Sequence, residues 1–413
     1  MSFPNKKQLF AKKAEKRQSP DDQNQQKAKK PKILDFSAHP KRKIAFQFYY
    51  LGWEHDGLVQ QLDTANTVEK HLMDALLKTK MIESWENCEF SRCGRTDKGV
   101  SAFKQTAAVV VRSTCPQDPD VFWDESTPED VKNNYKSKPE ELPYVKMLNG
   151  LLPKTIRVFA WAPVKREFNA RFDCNRRTYK YSFAKADLDL EKMREAASLL
   201  IGEHDYINFC QMDLNEKRLT QTTVRKIYEV KVEQVSTHPG NDIYSMVELT
   251  VSGSGFLWHM IRYIVTVLQE IGRGNEKPTL VSELLDTQKY PGRPHYTLSS
   301  DTPLCLFDCG YKEEDVAWIY DSDIKKTIVG LQKTWAAYQA RSRMMENMLE
   351  ELTGMVEMAA GDVTKGLHEF VQDRPIQMKY VKFEQREMCD TVELKKQKLA
   401  MKIAEKSEAV GGK

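Results

Sequence analysis

The chain has 413 residues, 40% of them hydrophobic and 30% charged, and its 63 basic against 59 acidic side chains leave a formal charge of +4. This is the composition of a soluble globular protein with exposed tails, long enough for about two to four domains. No apolar run is long enough to cross a bilayer and no secretory leader is evident, so neither a membrane-spanning nor a secreted protein is expected. The eight cysteines are scattered, which favours reduced thiols over a disulfide framework. Cys88/Cys93 and Cys305/Cys309 are close in sequence, but their separations are not those of paired zinc ligands and no histidine completes them; no metal is expected.

Residues 1–43 carry basic clusters at Lys6–Lys7, Lys12–Lys13, Lys16–Arg17, KAKKPK (27–32) and Lys41–Lys43 with few large apolar residues. Burial cannot repay the entropy of ordering such a segment, so it is expected to be a disordered basic tail. It could attract RNA phosphates, serve nuclear import or simply aid solubility. The first structured element is IAFQFYYL (44–51), whose aromatics favour a strand. Asn66 followed by Glu69 resembles a capping box, and Val68, Leu72, Met73, Leu76 and Leu77 form the stripe of a helix of about three turns. TAAVVVRS (106–113) is a further strand, and RCGRTDKGVSAF before it is too rich in glycine and charge to be a buried strand throughout.

Residues 118–141 turn acidic and Pro-rich, a surface excursion, before a short helix in YVKMLNGLLP and a strand in IRVFAWAPV (156–164). A domain junction is expected between 150 and 165. The second half repeats the plan: strand TYKYSF (178–183), helix LEKMREAASLL (190–200), strands IYEVKVEQV and IYSMVELTV, and a helix over FLWHMIRYIVTVLQEI (256–271) ended by Gly272. Beyond residue 311 the composition becomes helical and charged. The expected organisation is thus a tail (1–43), an N-terminal domain (44–155), a C-terminal domain (156–311) and a helical extension (312–413).

The chemistry is concentrated in CGRTDKGVSAF (93–103). A compact loop with two glycines holds Arg95, Asp97 and Lys98: one carboxylate with basic neighbours able to keep it ionised and to receive a phosphate backbone. The residues alone allow a plain surface turn as well. Three other segments follow in order: FNARFDCNRRTYKY (168–181), GSGFLWHMIRYIV (253–265) and SSDTPLCLFDCGY (299–311).

With these four motifs, residues 44–311 resemble the TruA-type tRNA pseudouridine synthase family. SRCGRTDKGVSAF, WAPVKREFNARF, HDYINFCQMD and the acidic insertion are closest to its eukaryotic branch, tRNA pseudouridine synthase 3, which acts on uridines 38 and 39 of the anticodon arm. The resemblance implies an α+β fold of two similar sheet-and-helix domains flanking a positively charged RNA-binding cleft, with tRNA as partner and no cofactor. It implies Asp97 as nucleophile, Tyr179 stacked on the target base, Arg262 as ionic partner of Asp97 and Arg95 as the residue displacing the target nucleotide. Lys98 and Arg171 would contact substrate. Leu306 or, in competition, Leu304 would pack against the base. Asn169 stands where bacterial relatives generally show histidine, so any duty of that ring does not carry over. Lys165, Arg166, Arg171, Arg176 and Arg177 still make a basic strip. Bacterial members are homodimers, and the helical extension could replace, block or extend such an interface. A nuclear and cytoplasmic location is expected. A catalytically silent tRNA binder and a metal-dependent RNA hydrolase are the rival readings; the joint presence of Asp97, Tyr179 and Arg262 speaks against the first and the lack of a metal-ligand cluster against the second.

Overall fold

An uninterrupted aromatic and apolar run favours extended backbone, and β1 (Lys41–Tyr50) is buried along almost its whole length. The computed structural model describes residues 34–212, 221–320, 322–369 and 380–411, so the basic clusters between Lys6 and Lys32 lie outside the described residues. Residues 1–35 and 36–413 are separate units, and every element named below belongs to the second. β1 takes in Lys41, Arg42 and Lys43, which the sequence alone assigns to the tail. Each enters the structure with an anion: Lys41 with Asp124 at 2.7 Å, Arg42 with Asp118 and Glu141 at 3.1 and 3.0 Å, Lys43 with Glu89 at 3.3 Å. Pairing is what makes a buried cation tolerable.

The remaining strands are β2 (Ser91–Arg92), β3 (Ser101–Arg112), β4 (Val121–Phe122), β5 (Ile156–Pro163), β6 (Arg176–Ala184), β7 (Gly202–Asp205), β8 (Val224–Gln234), β9 (Met246–Gly253), β10 (Leu304–Gly310) and β11 (Ile319–Tyr320). They form one sheet in the order β11-β5-β1-β3-β10-β6-β9-β8-β7, with β2 against β3 and β4 against β1. β5, just after the expected junction, is hydrogen-bonded to β1. Among the described strands the pairing is antiparallel except at the centre, where β3 and β10 run parallel with Ser101 opposite Cys305 and Ala102 opposite Leu306. That seam joins the two halves of the sheet.

The helices are α1 (Val68–Lys78), α2 (Glu129–Asn133), α3 (Tyr144–Asn149), α4 (Leu190–Ser198), α5 (Met260–Gly272), α6 (Leu280–Leu285), α7 (Ile324–Gly354), α8 (Ala360–Glu369) and α9 (Val392–Gly411). α1 and α3 bury Leu72, Leu76 and Leu148 against Phe46, Phe48 and Tyr50 of β1. α4, α5 and α6 bury Met193, Ile264, Leu268 and Leu284 against Tyr181, Phe183 and Leu249. Tyr179 packs against both clusters, so both sets of helices lie on one face of the sheet. The α+β architecture read from the sequence is the one observed. On the other face Tyr49, Phe103 and Phe159 meet Ile324 at the start of α7. No helix among the described residues is long and apolar enough to cross a membrane.

Two helix starts differ from expectation. α1 is capped by Thr67, whose hydroxyl accepts from the Lys70 N–H. Asn66 is drawn away because its amide donates to the Glu54 carbonyl at 2.8 Å. Glu69 does not turn back to complete a capping box: it accepts from the Gln60 N–H and pairs with Arg92. α5 begins at Met260 rather than Phe256, because His259 adopts the left-handed conformation (φ 63°, ψ 6°) and interrupts the helical path.

Candidate active site

The loop between β2 and β3 is built so that Asp97 sits at a fixed corner. Cys93 donates its N–H to the Thr106 carbonyl, and the Gln105 side chain bonds both sides of Gly94. Thr96 is buried, with its hydroxyl 2.7 Å from that of Tyr50. The Val100 N–H returns to the Asp97 carbonyl at 3.2 Å, closing a turn whose third residue, Gly99, has φ 81°. A positive φ at the third position of such a turn favours glycine. A Cβ at Gly99 would also lie 2.6 Å from an oxygen of Asp301.

Two rings immediately before α5 reach the Asp97 carboxylate. The Trp258 indole N–H donates to one carboxylate oxygen at 3.2 Å, and Nε2 of His259 lies 3.3 Å from the other. Burial pushes the carboxyl of Asp97 up; the bond and charge of His259, the Trp258 bond and the charge of Arg262 outweigh it and hold the group below its ordinary value. Arg262, expected to pair directly with Asp97, instead donates from Nε to the Ser299 carbonyl at 2.5 Å. Burial lowers its pKa, and Asp301 first and Asp97 second oppose that. Its action on Asp97 is therefore through its field. Trp258 and His259 are the residues the sequence reading misses: they are quoted in GSGFLWHMIRYIV, but in an apolar run they pass for helix interior.

The parallel seam brings the loop to the aromatic wall. Leu306 is fully buried, stands opposite Tyr179 across β10 and β6, and has its Cδ2 within 4.0 Å of where a Gly94 Cβ would be. Leu304 stands one pair further on, opposite Tyr181. The structure thus puts Leu306, not Leu304, beside both the loop and Tyr179. Tyr179 meets Phe256 edge-on at 5.2 Å, and burial first, with the Cys309 and Cys93 thiols, raises its hydroxyl well above the usual phenol range.

The basic residues divide by role. Lys98 is exposed and pairs with Asp56 at 2.8 Å; Arg95 is exposed on the same loop. Arg171 is exposed, its guanidinium 5.5 Å from the Phe172 ring. Arg166 pairs with Glu89 and Arg176 with Asp308. Arg177 is a staple rather than part of a phosphate strip: it donates to the carbonyls of Cys93, Arg171 and Ser254 at 3.0, 2.8 and 3.0 Å. Beside it the thiols of Cys93, Cys174 and Cys309 contact one another beneath the loop. Two clusters among the described residues have ligand atoms close enough for a metal, Cys115–Asp118–Glu141 and His238–Glu346–Glu350. Neither includes a loop residue, and each already holds a cation, Arg42 in the first and Arg343 in the second.

The sheet thus sets the Asp97 carboxylate beside an aromatic and aliphatic wall. A family model described as tRNA pseudouridine synthase matches residues 196–312, and a Caenorhabditis elegans protein named probable tRNA pseudouridine synthase tag-124 is 73% identical over 388 residues, 94% of this chain and 96% of its own length. The chain belongs to the tRNA pseudouridine synthase family. It is also similar to the Mus musculus and Homo sapiens proteins named tRNA pseudouridine(38/39) synthase, at 39% identity over 81% of this chain and 69% of the mouse protein, and at 38% over 84% and 72% of the human one.

Proposed function

We propose that this chain isomerises uridine to pseudouridine at positions 38 and 39 of the tRNA anticodon arm, with Asp97 as the nucleophile. The observation that carries the reading is the ionised, half-exposed carboxylate of Asp97, held by two donors on a rigid turn next to Tyr179 and Leu306. The base-to-ribose C–N bond breaks while Asp97 engages the nucleoside, the retained uracil turns, and its C5 forms the new bond to the ribose. N1 gains the proton that C5 gives up, so the reaction balances without an external group donor or a redox partner. Tyr179 offers the flat face on which an extruded base stacks; extrusion costs a few kcal/mol that such contacts offset. Arg95 enters the vacated position, and Lys98 and Arg171 hold phosphates.

The test is nucleotide-resolved pseudouridine formation in purified unmodified tRNA, with EDTA and no added cofactor, comparing the protein with Asp97→Ala. Product at uridines 38 or 39 only with Asp97 intact supports the reading; measurable tRNA binding without product across a varied tRNA set would replace it with a silent binder.

The chain acts as a homodimer in this reading. α7 is 31 residues, about 46 Å long, and leaves Leu331, Trp335, Met345, Leu349 and Leu352 exposed. Its first half carries Lys325, Lys326 and Lys333, while its second half mixes Arg341 and Arg343 with Glu346, Glu350 and Glu351, so the exposed apolar residues are what two antiparallel copies would match. Met345→Glu with Leu349→Glu should convert a dimer to a monomer in sedimentation; a monomer for the unaltered protein would overturn this. The chain also works in both nucleus and cytoplasm, supported by the basic clusters before residue 33, and removal of residues 1–33 from a fluorescent fusion should deplete the nuclear pool.

A further inference from the structure

The geometry points to His259 as a positioning residue that, with Trp258, sets the plane of the Asp97 carboxylate; this rests on the reading of Asp97 as nucleophile. Consecutive residues send their side chains about 100° apart on a helix and to opposite sides of a strand. Here two consecutive rings stand side by side, 4.6 Å apart and tilted by 38°, each delivering one nitrogen to one oxygen of the same carboxylate. The left-handed backbone at His259 is what makes that arrangement reachable. Such a torsion is unusual for a residue with a Cβ and persists where the surroundings over-determine it. The conformation also stops α5 from absorbing Trp258, and the first α5 bond, from the Tyr263 N–H to the His259 carbonyl, locks the step in place.

The ring chemistry fixes the proton. Asp97 is an acceptor when ionised, so Nε2 must carry the hydrogen that faces it. Nδ1 is buried and has no partner among the described residues, so the hydrogen-bonding contact of the ring is the one its Nε2 makes with Asp97. The indole N–H bonded to one oxygen and the imidazole nitrogen 3.3 Å from the other restrict the turning of the carboxylate, so its unengaged lone pairs keep one preferred direction. That direction decides whether the nucleoside is met in line. Arg262, bound to the Ser299 carbonyl, supplies charge but not orientation.

The test uses the full chain with an unmodified tRNA substrate, measuring the single-turnover rate constant at saturating protein and the tRNA dissociation constant separately. His259→Asn keeps a residue that accepts the left-handed backbone but is too short to reach Asp97; His259→Gln keeps a reaching N–H. The expected result is a rate about 10- to 100-fold lower for His259→Asn with the dissociation constant unchanged within about twofold, and recovery of most of that loss in His259→Gln. A wild-type rate for His259→Asn, a loss confined to tRNA binding, or no recovery with glutamine would overturn the inference. Should His259→Asn fail to fold, Trp258→Phe, which keeps the ring and removes the other donor, gives the same reading by the same two measurements. Inactivity of the unaltered protein on every tRNA, or activity in Asp97→Ala, would sink the functional reading itself rather than the positioning role.

Discussion

At the scale of single residues, the state of Asp97 sets the pH behaviour. Burial raises its carboxyl, the His259 and Trp258 bonds and the Arg262 charge outweigh burial, and the folded value falls below the ordinary 3.8. A depressed carboxyl stabilises the fold above its unfolded value, and that stabilisation is lost as pH falls through the folded value. The single-turnover rate should therefore show no step from Asp97 between about pH 5 and 8, and decline only on the acid side of the ordinary carboxylate range. A midpoint above about pH 5 that shifts with His259 or Trp258 substitution while the protein stays folded would contradict this. Leu306 and Leu304 separate in the same way. Leu306→Ala removes a fully buried side chain and should cost about 2 to 5 kcal/mol in urea unfolding. Leu304→Ala should cost stability on the same order, yet slow turnover less, because Leu304 faces Tyr181 and not Tyr179.

At the scale of elements, the turn at 97–100 is the part most exposed to a small change. Gly99→Ala meets both a positive φ and an Asp301 oxygen at 2.6 Å, a strain on the order of 1 to 3 kcal/mol, and should lower turnover by moving Asp97. Gly274→Ala is the control: φ is 76° but nothing lies within 4 Å, so melting temperature should drop a little and saturating turnover should hold. The sequence makes much of this level legible. Composition and alternation reveal the strands, and CGRTDKG shows the carboxylate because glycine and charge have no business in a buried strand. What stays hidden has a common cause: competition between partners distant in the chain. Asn66 looks like the cap of α1 until Glu54 claims its amide. Lys41, Arg42 and Lys43 read as tail until Asp124, Asp118, Glu141 and Glu89 neutralise them. Trp258 and His259 read as helix because hydrophobic periodicity carries no information about a single left-handed residue.

At the scale of the whole molecule, Arg177 ties the 93–100 loop, the 168–175 segment and the end of β9 through backbone carbonyls. Arg177→Met should leave the half-buried Cys93 and Ser254 carbonyls without this donor, at about 1 to 3 kcal/mol each if neither is rescued by water, and lower stability together with slower turnover is the expected outcome. The parallel seam between β3 and β10 has a consequence for how the protein is born. Ser101 and Cys305 are neighbours in the sheet but roughly two hundred residues apart along the chain, and closing so long a loop is slow. While the ribosome is still making the second half, Asp97 has neither the wall of Leu306 and Tyr179 behind it nor the rings of Trp258 and His259 beside it. The corner of the sheet that holds Asp97 is therefore finished only when β10 has left the ribosome and slotted between β3 and β6.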